Sequence, residues 1–332
     1  MFYPKAIYYE ENVKNYPLGK MLLEKYKNVP MYKIDSHNNI ESFRKMENRE
    51  FAHIKQNLII GIRKTHKYVS NYKVSDFLVP YTSSGCTASC LYCYLVCHFN
   101  KCSYLRLFVN REEMLGKIIK KAESADTDLV FEIGSNSDLI LENTITGNLK
   151  WTIENFAKCK KGYLTFPTKF DMVDDILNIP GKDKVIVRVS INPEIIVNRV
   201  ELGTSSLDKR IDAIIKLKKA GYKVGILIAP IILLDDYKKL YKDLIKKLND
   251  RLDENIRDGM FFELIFMTYS FVHYKINSEA FPNALRIYEK EKFTSYGRYK
   301  YSYKKSLKED ATKYIHGLLK KYFPNIPIKY TV

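Results

Sequence analysis

The sequence predicts an α/β chain. At its centre is a parallel, six-stranded β/α arrangement of the partial (β/α)6 barrel kind, with an N-terminal extension and a C-terminal Lys/Tyr-rich β-hairpin region. Two observations predict it. Apolar, β-branched runs recur at residues 77–81, 129–133, 162–166, 184–191, 223–229 and 261–266, with helical patterns between them. Polar residues with chemical potential then gather just past the ends of these runs, where a β/α barrel keeps its chemistry.

Taken in order, residues 1–76 mix short helices with loops and carry no repeat, Gly-rich loop or Walker pattern. They form an N-terminal α/β extension expected to pack on the barrel. Residues 77–270 hold the alternation. The clearest helices are 112–125, 207–220 and 237–252, and Gly221 after Lys218-Lys219-Ala220 is a good helix stop. The first strand leads into a cysteine loop, and the second into Glu132-Ile133-Gly134-Ser135-Asn136-Ser137-Asp138. The third runs into Thr168-Lys169, the fourth into Ser190-Ile191-Asn192 and the fifth into Ala229-Pro230. Any one of these is ordinary helix-capping chemistry; the set is more informative than its members. Residues 271–332 form the last part. There Phe293, Tyr296, Tyr299, Tyr301 and Tyr303 interleave with Lys292, Arg298, Lys300, Lys304 and Lys305, a pattern suited to phosphate contact and base stacking. The bland counterpart is an amphipathic hairpin with a solvated basic face.

Composition bounds the function. A 332-residue chain with 46% hydrophobic residues can bury a large core, and no apolar run reaches the 18 or so residues that span a bilayer. A cytoplasmic protein with no membrane partner is expected, because the chain starts Met1-Phe2-Tyr3-Pro4-Lys5 with no charged-then-apolar signal segment. The balance of 55 basic to 38 acidic residues, net +17, suits a polyanion such as DNA or RNA, although a lysine-rich solvated surface gives the same count.

The decisive motif is Cys86-x3-Cys90-x2-Cys93. Three close thiolates can each hold one iron of a [4Fe–4S] cube. With these three as the ligands, one iron stays open for another ligand. Structural zinc sites usually pair two knuckles, and the only distant cysteine here is Cys159. Cys97 and Cys102 also follow the motif, so a register of Cys90, Cys93 and Cys97 is formally open. An open iron that binds the amino and carboxylate groups of S-adenosylmethionine (SAM) is the signature of radical SAM enzymes, which this loop resembles, including the aromatic Tyr92 before its third cysteine. The six β/α repeats resemble the partial barrel of that class.

A narrower resemblance runs through most of the chain. Asn15-Tyr16-Pro17-Leu18-Gly19-Lys20, Ser36-His37-Asn38, Gly61-Ile62-Arg63-Lys64-Thr65, the cysteine segment, Phe131-Glu132, Ser137-Asp138, Thr168-Lys169-Phe170, Gly203-Thr204-Ser205-Ser206 and Gly297-Arg298-Tyr299 occur in one order. In this the chain resembles the spore photoproduct lyase family, radical SAM enzymes that repair a methylene-bridged thymine dimer in spore DNA. The resemblance implies that Cys86, Cys90 and Cys93 ligate the cluster and that Ser137, Asp138, Lys169 and Ser190 hold SAM. It implies that Tyr92 and Tyr94 are the two tyrosines flanking the third cysteine, of which Tyr94 takes part in radical return, and that Arg298 wedges into the duplex beside the lesion, with Tyr296 and Tyr299 contacting the duplex on the same hairpin. A SAM-derived radical would take a hydrogen from the dimer, the methylene bridge would break, and the product radical would need a hydrogen atom returned. In the Bacillus-type enzymes a cysteine after the second strand gives it. Here Ser135 stands at that place, and its O–H bond is too strong for a good donor. Cys97, Cys102 or Tyr94 in a clostridial-type branch is the expected substitute, with Cys97 first. The implied partners are double-stranded DNA carrying the lesion and an electron donor such as ferredoxin or flavodoxin. The implied state is a monomer in the spore core or germinating cell. A radical SAM enzyme for another nucleic acid or a peptide, and a non-catalytic zinc-bound nucleic-acid-binding protein, are the alternatives.

Overall fold

The protein's structure is a computed structural model that describes residues 2–95 and 104–332. Its main sheet has eight strands. In spatial order they are Ile328–Thr331, Phe261–Phe266, Lys223–Ile231, Val185–Ile191, Tyr163–Thr168, Val130–Glu132, Phe77–Leu78 and Val69–Ser70. The six expected strands lie side by side in chain order and are parallel. Both edges stay unpaired with each other, so the sheet curls into a half-barrel and does not close.

Periodicity explains why these runs are strands. In Val185–Ile191, Val185, Val187, Val189 and Ile191 are fully buried in the main core, while Arg188 and Ser190 alternate to the opposite, concave face. Helices Arg111–Glu123, Leu207–Lys219 and Tyr237–Arg251 occur where the sequence predicts them. The second of them ends just before Gly221, whose φ of +93° suits glycine. Two further helices, Leu139–Thr146 and Asn148–Phe156, fill the connection after the second strand.

The N-terminal part has its own parallel sheet of Met31–Ile34, Ala6–Glu10 and Asn57–Gly61. The chain returns to it after the cysteine loop, because Leu105–Phe108 pairs in parallel with Asn57–Gly61, and Ser83–Ser84 closes the edge. At the other end, Phe293–Gly297 and Lys300–Tyr303 form the expected hairpin, joined by Thr268–Ser270 into a three-stranded antiparallel sheet.

Candidate functional site

The cysteine loop is tied down from several sides. Gly85, at φ +80°, donates its N–H to the Asn136 carbonyl at 2.7 Å and bridges Ser137. A side chain there would strain the turn. The buried Lys55 ammonium donates to the Cys86 carbonyl at 2.8 Å and to the Ala88 carbonyl. Ser89–Cys90 pairs with Glu201–Leu202, and the Leu91 N–H reaches the Val200 carbonyl at 2.9 Å. From the C-terminal part, Asn277 donates to the Leu91 carbonyl at 2.5 Å, joined there by the Tyr288 hydroxyl. The loop thus rests on the segments that follow the second and fourth strands, at the mouth of the half-barrel.

The cysteine set fits the implied cluster. Cys86, Cys90 and Cys93 are free and half-buried, whereas Cys159 is buried elsewhere, with its thiol on the Lys161 carbonyl at 3.1 Å. Burial pushes the Cys86 thiol up to about 11, with Lys55 opposing and Asp138 and Cys93 adding to the rise. Burial pushes Cys90 higher still, helped by Glu201 and the other two thiols. Such thiols ionise when a cationic centre binds them, as iron does. Among the described residues no three His, Cys, Asp or Glu side chains converge on one point for a single ion. A cubane asks instead for one thiolate at each of three corners, which this loop supplies.

The residues expected around SAM divide into two groups. Lys169 and Ser190 come together: the Lys169 ammonium donates to Ser190 Oγ at 2.5 Å, to the Ala229 carbonyl at 2.7 Å and to Glu201 Oε1 at 3.0 Å. Ser137 and Asp138 face other partners. Ser137 accepts from Ser83 Oγ at 2.8 Å, and the same hydroxyl contacts the buried Glu142. Asp138 caps the helix Leu139–Thr146, accepting from the N–H groups of Ile140 and Leu141 at 3.1 and 3.2 Å. Its carboxylate also takes the Thr168 hydroxyl and the Lys169 N–H, both at 2.9 Å. Burial raises the Asp138 carboxyl above its usual range despite these bonds.

Sequence reasoning missed Glu201. Its fully buried carboxylate receives the Tyr92 hydroxyl, Lys169 Nζ and Asn192 Nδ2, the last at 2.9 Å, and lies 2.6 Å from an Arg210 nitrogen. Burial alone would raise its pKa; Lys169 and Arg210 overcome that and hold it at about 2. The one signal in the chain is an acidic residue in the otherwise apolar Val200-Glu201-Leu202, since a buried carboxylate needs a partner.

Tyr94 is half-exposed, and its hydroxyl donates to the Ser135 carbonyl at 2.5 Å, which joins the second aromatic of the motif to the serine at the donor position. Cys97 and Cys102 lie outside the described residues. On the concave face below, Arg188 pairs with Glu132 at 2.7 Å and Glu263 at 3.2 Å, and Tyr330 donates to Glu263 at 2.6 Å. Burial works against the Arg188 charge, and these two carboxylates keep it charged.

The hairpin presents Tyr296, Arg298 and Tyr299 to solvent. Arg298 and Tyr299 form its tip, with the guanidinium 5.4 Å from the Tyr299 ring centre. Tyr299 holds φ +60°, which is uncommon for a bulky residue and costs backbone energy. An aromatic stack anchors the hairpin: Phe293 on Tyr303 at 4.2 Å and Tyr269 on Tyr301 at 4.9 Å. Helix Phe271–Ala280, which follows the strand beside the hairpin, carries Asn277 to the cysteine loop.

Comparison with known proteins agrees with this layout. The profile of the family described as spore photoproduct lyase matches residues 2–332. Spore photoproduct lyase of Bacillus subtilis (strain 168) is 33% identical over 337 residues, covering 99% of this chain and 98% of the relative. That of Clostridium acetobutylicum is 28% identical over 335 residues at the same coverage. Among solved structures, a spore photoproduct lyase double mutant with bound AdoMet and dinucleoside spore photoproduct superposes with a TM-score of 0.93 at 29% identity, covering 100% of this chain and 99% of that one. A spore photoproduct lyase complexed with dinucleoside spore photoproduct gives 0.92 at the same identity and coverage.

Proposed function

This chain belongs to the spore photoproduct lyase family, and from that premise we propose how its own residues serve the family's reaction. It is a radical SAM carbon–carbon lyase that returns the spore photoproduct in DNA to two thymines, with a [4Fe–4S] cluster and SAM as cofactors. When bound, these cofactors supply the 5′-deoxyadenosyl radical. The protein's part is to hold, orient and enclose.

Cys86, Cys90 and Cys93 hold the cluster. The observation that carries this reading is the loop's position: it is pinned to Asn136 and Val200, so its thiols and Tyr92 lie beside Lys169 and Ser190 at the mouth of the half-barrel. Lys169, Ser190 and Ser137 line the SAM pocket, and Asp138 fixes the Lys169 backbone from behind. Tyr92 keeps its phenolic proton on Glu201, and Tyr94 keeps its own on the Ser135 carbonyl. Tyr94 lies on the route of radical return. The hydrogen atom that completes repair is assigned to Cys97, because no thiol stands at position 135, with Cys102 and then Tyr94 next in line. Arg298, Tyr296 and Tyr299 enter the duplex beside the lesion, and the exposed hairpin tip supports that role.

The three-part division at 76 and 270 is kept as a functional one, with residues 83–84 and 105–108 lending strands to the first part. A low-potential carrier such as ferredoxin or flavodoxin supplies the electron to a monomeric enzyme in the cytoplasm of the spore or germinating cell. Among the described residues no helix is long and apolar enough to cross a membrane. A clostridial-type branch is compatible with Ser135, although the clostridial relative is no more similar to the chain than the Bacillus one.

The test is an anaerobic assay of reconstituted protein with SAM, dithionite and dinucleotide spore photoproduct. Conversion to the thymine dinucleotide is expected. SAM cleavage without any repair would overturn the substrate reading.

A further inference from the structure

We propose that Glu201 is a positioning residue for the cofactor pocket: one buried carboxylate that locks the cysteine loop and the Lys169 ammonium into a single frame. The proposal rests on the reading of Lys169 as a SAM-pocket residue. Glu201 touches four separate segments. Its backbone pairs with Cys90, and its side chain takes Tyr92 from the cysteine loop, Lys169 from the end of the third strand, Asn192 from the end of the fourth and Arg210 from the helix Leu207–Lys219. No other carboxylate described here joins the cysteine loop to Lys169.

The two cations it balances are not equivalent. Arg210 is fully buried and cannot turn: Nε donates to the Ser205 carbonyl at 2.8 Å, and the terminal nitrogens donate to the Ser190 carbonyl at 3.0 Å and Thr204 Oγ1 at 2.6 Å. Lys169 keeps 20% of its side chain exposed, and its three N–H bonds go to Ser190, Ala229 and Glu201. An incoming anionic group therefore meets Lys169 and never Arg210. One carboxylate between two cations also leaves a net positive charge at that point, which suits the carboxylate of an amino-acid cofactor.

Removing the Glu201 charge would leave the Lys169 and Arg210 cations facing each other with no anion between them. Arg210 is fixed, so Lys169 must swing away. The pocket then loses its ammonium, and Tyr92 loses the charged acceptor that holds the loop against it. Glu201 thus acts through Lys169 and Tyr92, without touching the cofactor.

The experiment compares wild type, Glu201→Gln, Lys169→Met and the double variant, each reconstituted anaerobically. It measures iron content, SAM affinity by equilibrium dialysis, and KM and kcat for SAM cleavage. Glu201→Gln should keep the wild-type iron content and lose about 10-fold or more in SAM affinity, as loss of an outer-shell partner does elsewhere. KM should rise more than kcat falls. The double variant should bind SAM no worse than Lys169→Met alone, because the two losses share one cause. Additive losses, or an affinity within about 2-fold of wild type, would overturn the proposal. If Glu201→Gln does not fold, Glu201→Asp, which keeps the charge on a shorter arm, decides: normal iron with weakened SAM binding supports the role, and unchanged binding refutes it. Wild-type protein that loads iron but binds no SAM would overturn the functional reading itself, and the proposal with it. Wild-type binding with additive losses would sink the proposal alone.

Discussion

Asp138 offers the sharpest contrast between a residue that binds a cofactor and one that builds the wall behind it. Its carboxylate accepts four donors: Ile140 and Leu141 N–H, the Thr168 hydroxyl and the Lys169 N–H. Asp138→Ala removes all of them. Loss of the helix cap costs about 1 kcal/mol. The buried Thr168 hydroxyl and Lys169 N–H are each left without this acceptor, at about 1–3 kcal/mol apiece. Together these give about 3–7 kcal/mol. The lower half of that range is expected, because burial already raises the Asp138 carboxyl, and deleting it recovers part of that cost. For a chain of this size each kcal/mol lowers Tm by about 2 °C, so a fall of roughly 6–10 °C should appear in a circular-dichroism melt of the cofactor-free protein. Asp138→Asn should lie in between. Its amide oxygen can still cap the helix, but its NH2 group cannot accept the Lys169 N–H. An Asp138→Ala protein that melts with wild type yet fails to bind SAM would refute this reasoning and return Asp138 to the role of direct ligand.

Replacing Cys86, Cys90 or Cys93 by Ala should each abolish the brown cluster absorbance and reductive SAM cleavage, while Cys159→Ala, buried and remote, should leave both intact. A Cys90→Ala protein that still cleaved SAM would show the ligand assignment to be wrong. Arg298→Ala should weaken repair of duplex DNA more than repair of the dinucleotide, because only a duplex has a stack to open, and duplex binding should fall as salt rises; equal losses on both substrates would speak for a pocket role. Arg188→Met should destabilise the fold by about 3–5 kcal/mol in urea titration, since Glu132 and Glu263 lose their shared cation in a buried site; a loss under about 1 kcal/mol would mean that the concave face is well hydrated. Ser135→Ala should leave turnover clean, while replacing Cys97 should yield side products from a stalled thymine radical, read by chromatography of the dinucleotide products. Side products from Ser135→Ala alone would defeat the bond-strength argument.

What was legible in the chain was local. Strands such as Val185–Ile191 and the first part of Lys223–Ile231 announce themselves because every second residue is apolar and β-branched. The cysteine loop is legible because cluster ligation is a matter of short spacing, and the hairpin because aromatics and cations alternate over few residues. The place of Leu105–Phe108 was not legible as such. The run is apolar apart from Arg106, but nothing local says that it leaves the barrel and pairs with Asn57–Gly61 in the N-terminal sheet. Nor does the sequence say that Ile328–Thr331 returns to the sheet edge beside Phe261–Phe266.

The same limit governs the site. The sequence by itself determined the chemistry on offer: three thiols at cluster spacing, two tyrosines around the last, a lysine and a serine past consecutive strands, and a serine where a thiol donor is expected. Only the tertiary structure decided what those groups face. Asp138 reads the same whether it binds a cofactor or caps a helix, and folding gives it four internal donors as well. Glu201 sits in no motif, yet folding sets it between Lys169 and Arg210 and beside Tyr92. Residue type and spacing are properties of neighbours along the chain. The partner of a buried charge is set by segments far apart in sequence, and these meet only when strands, loop and helix pack together.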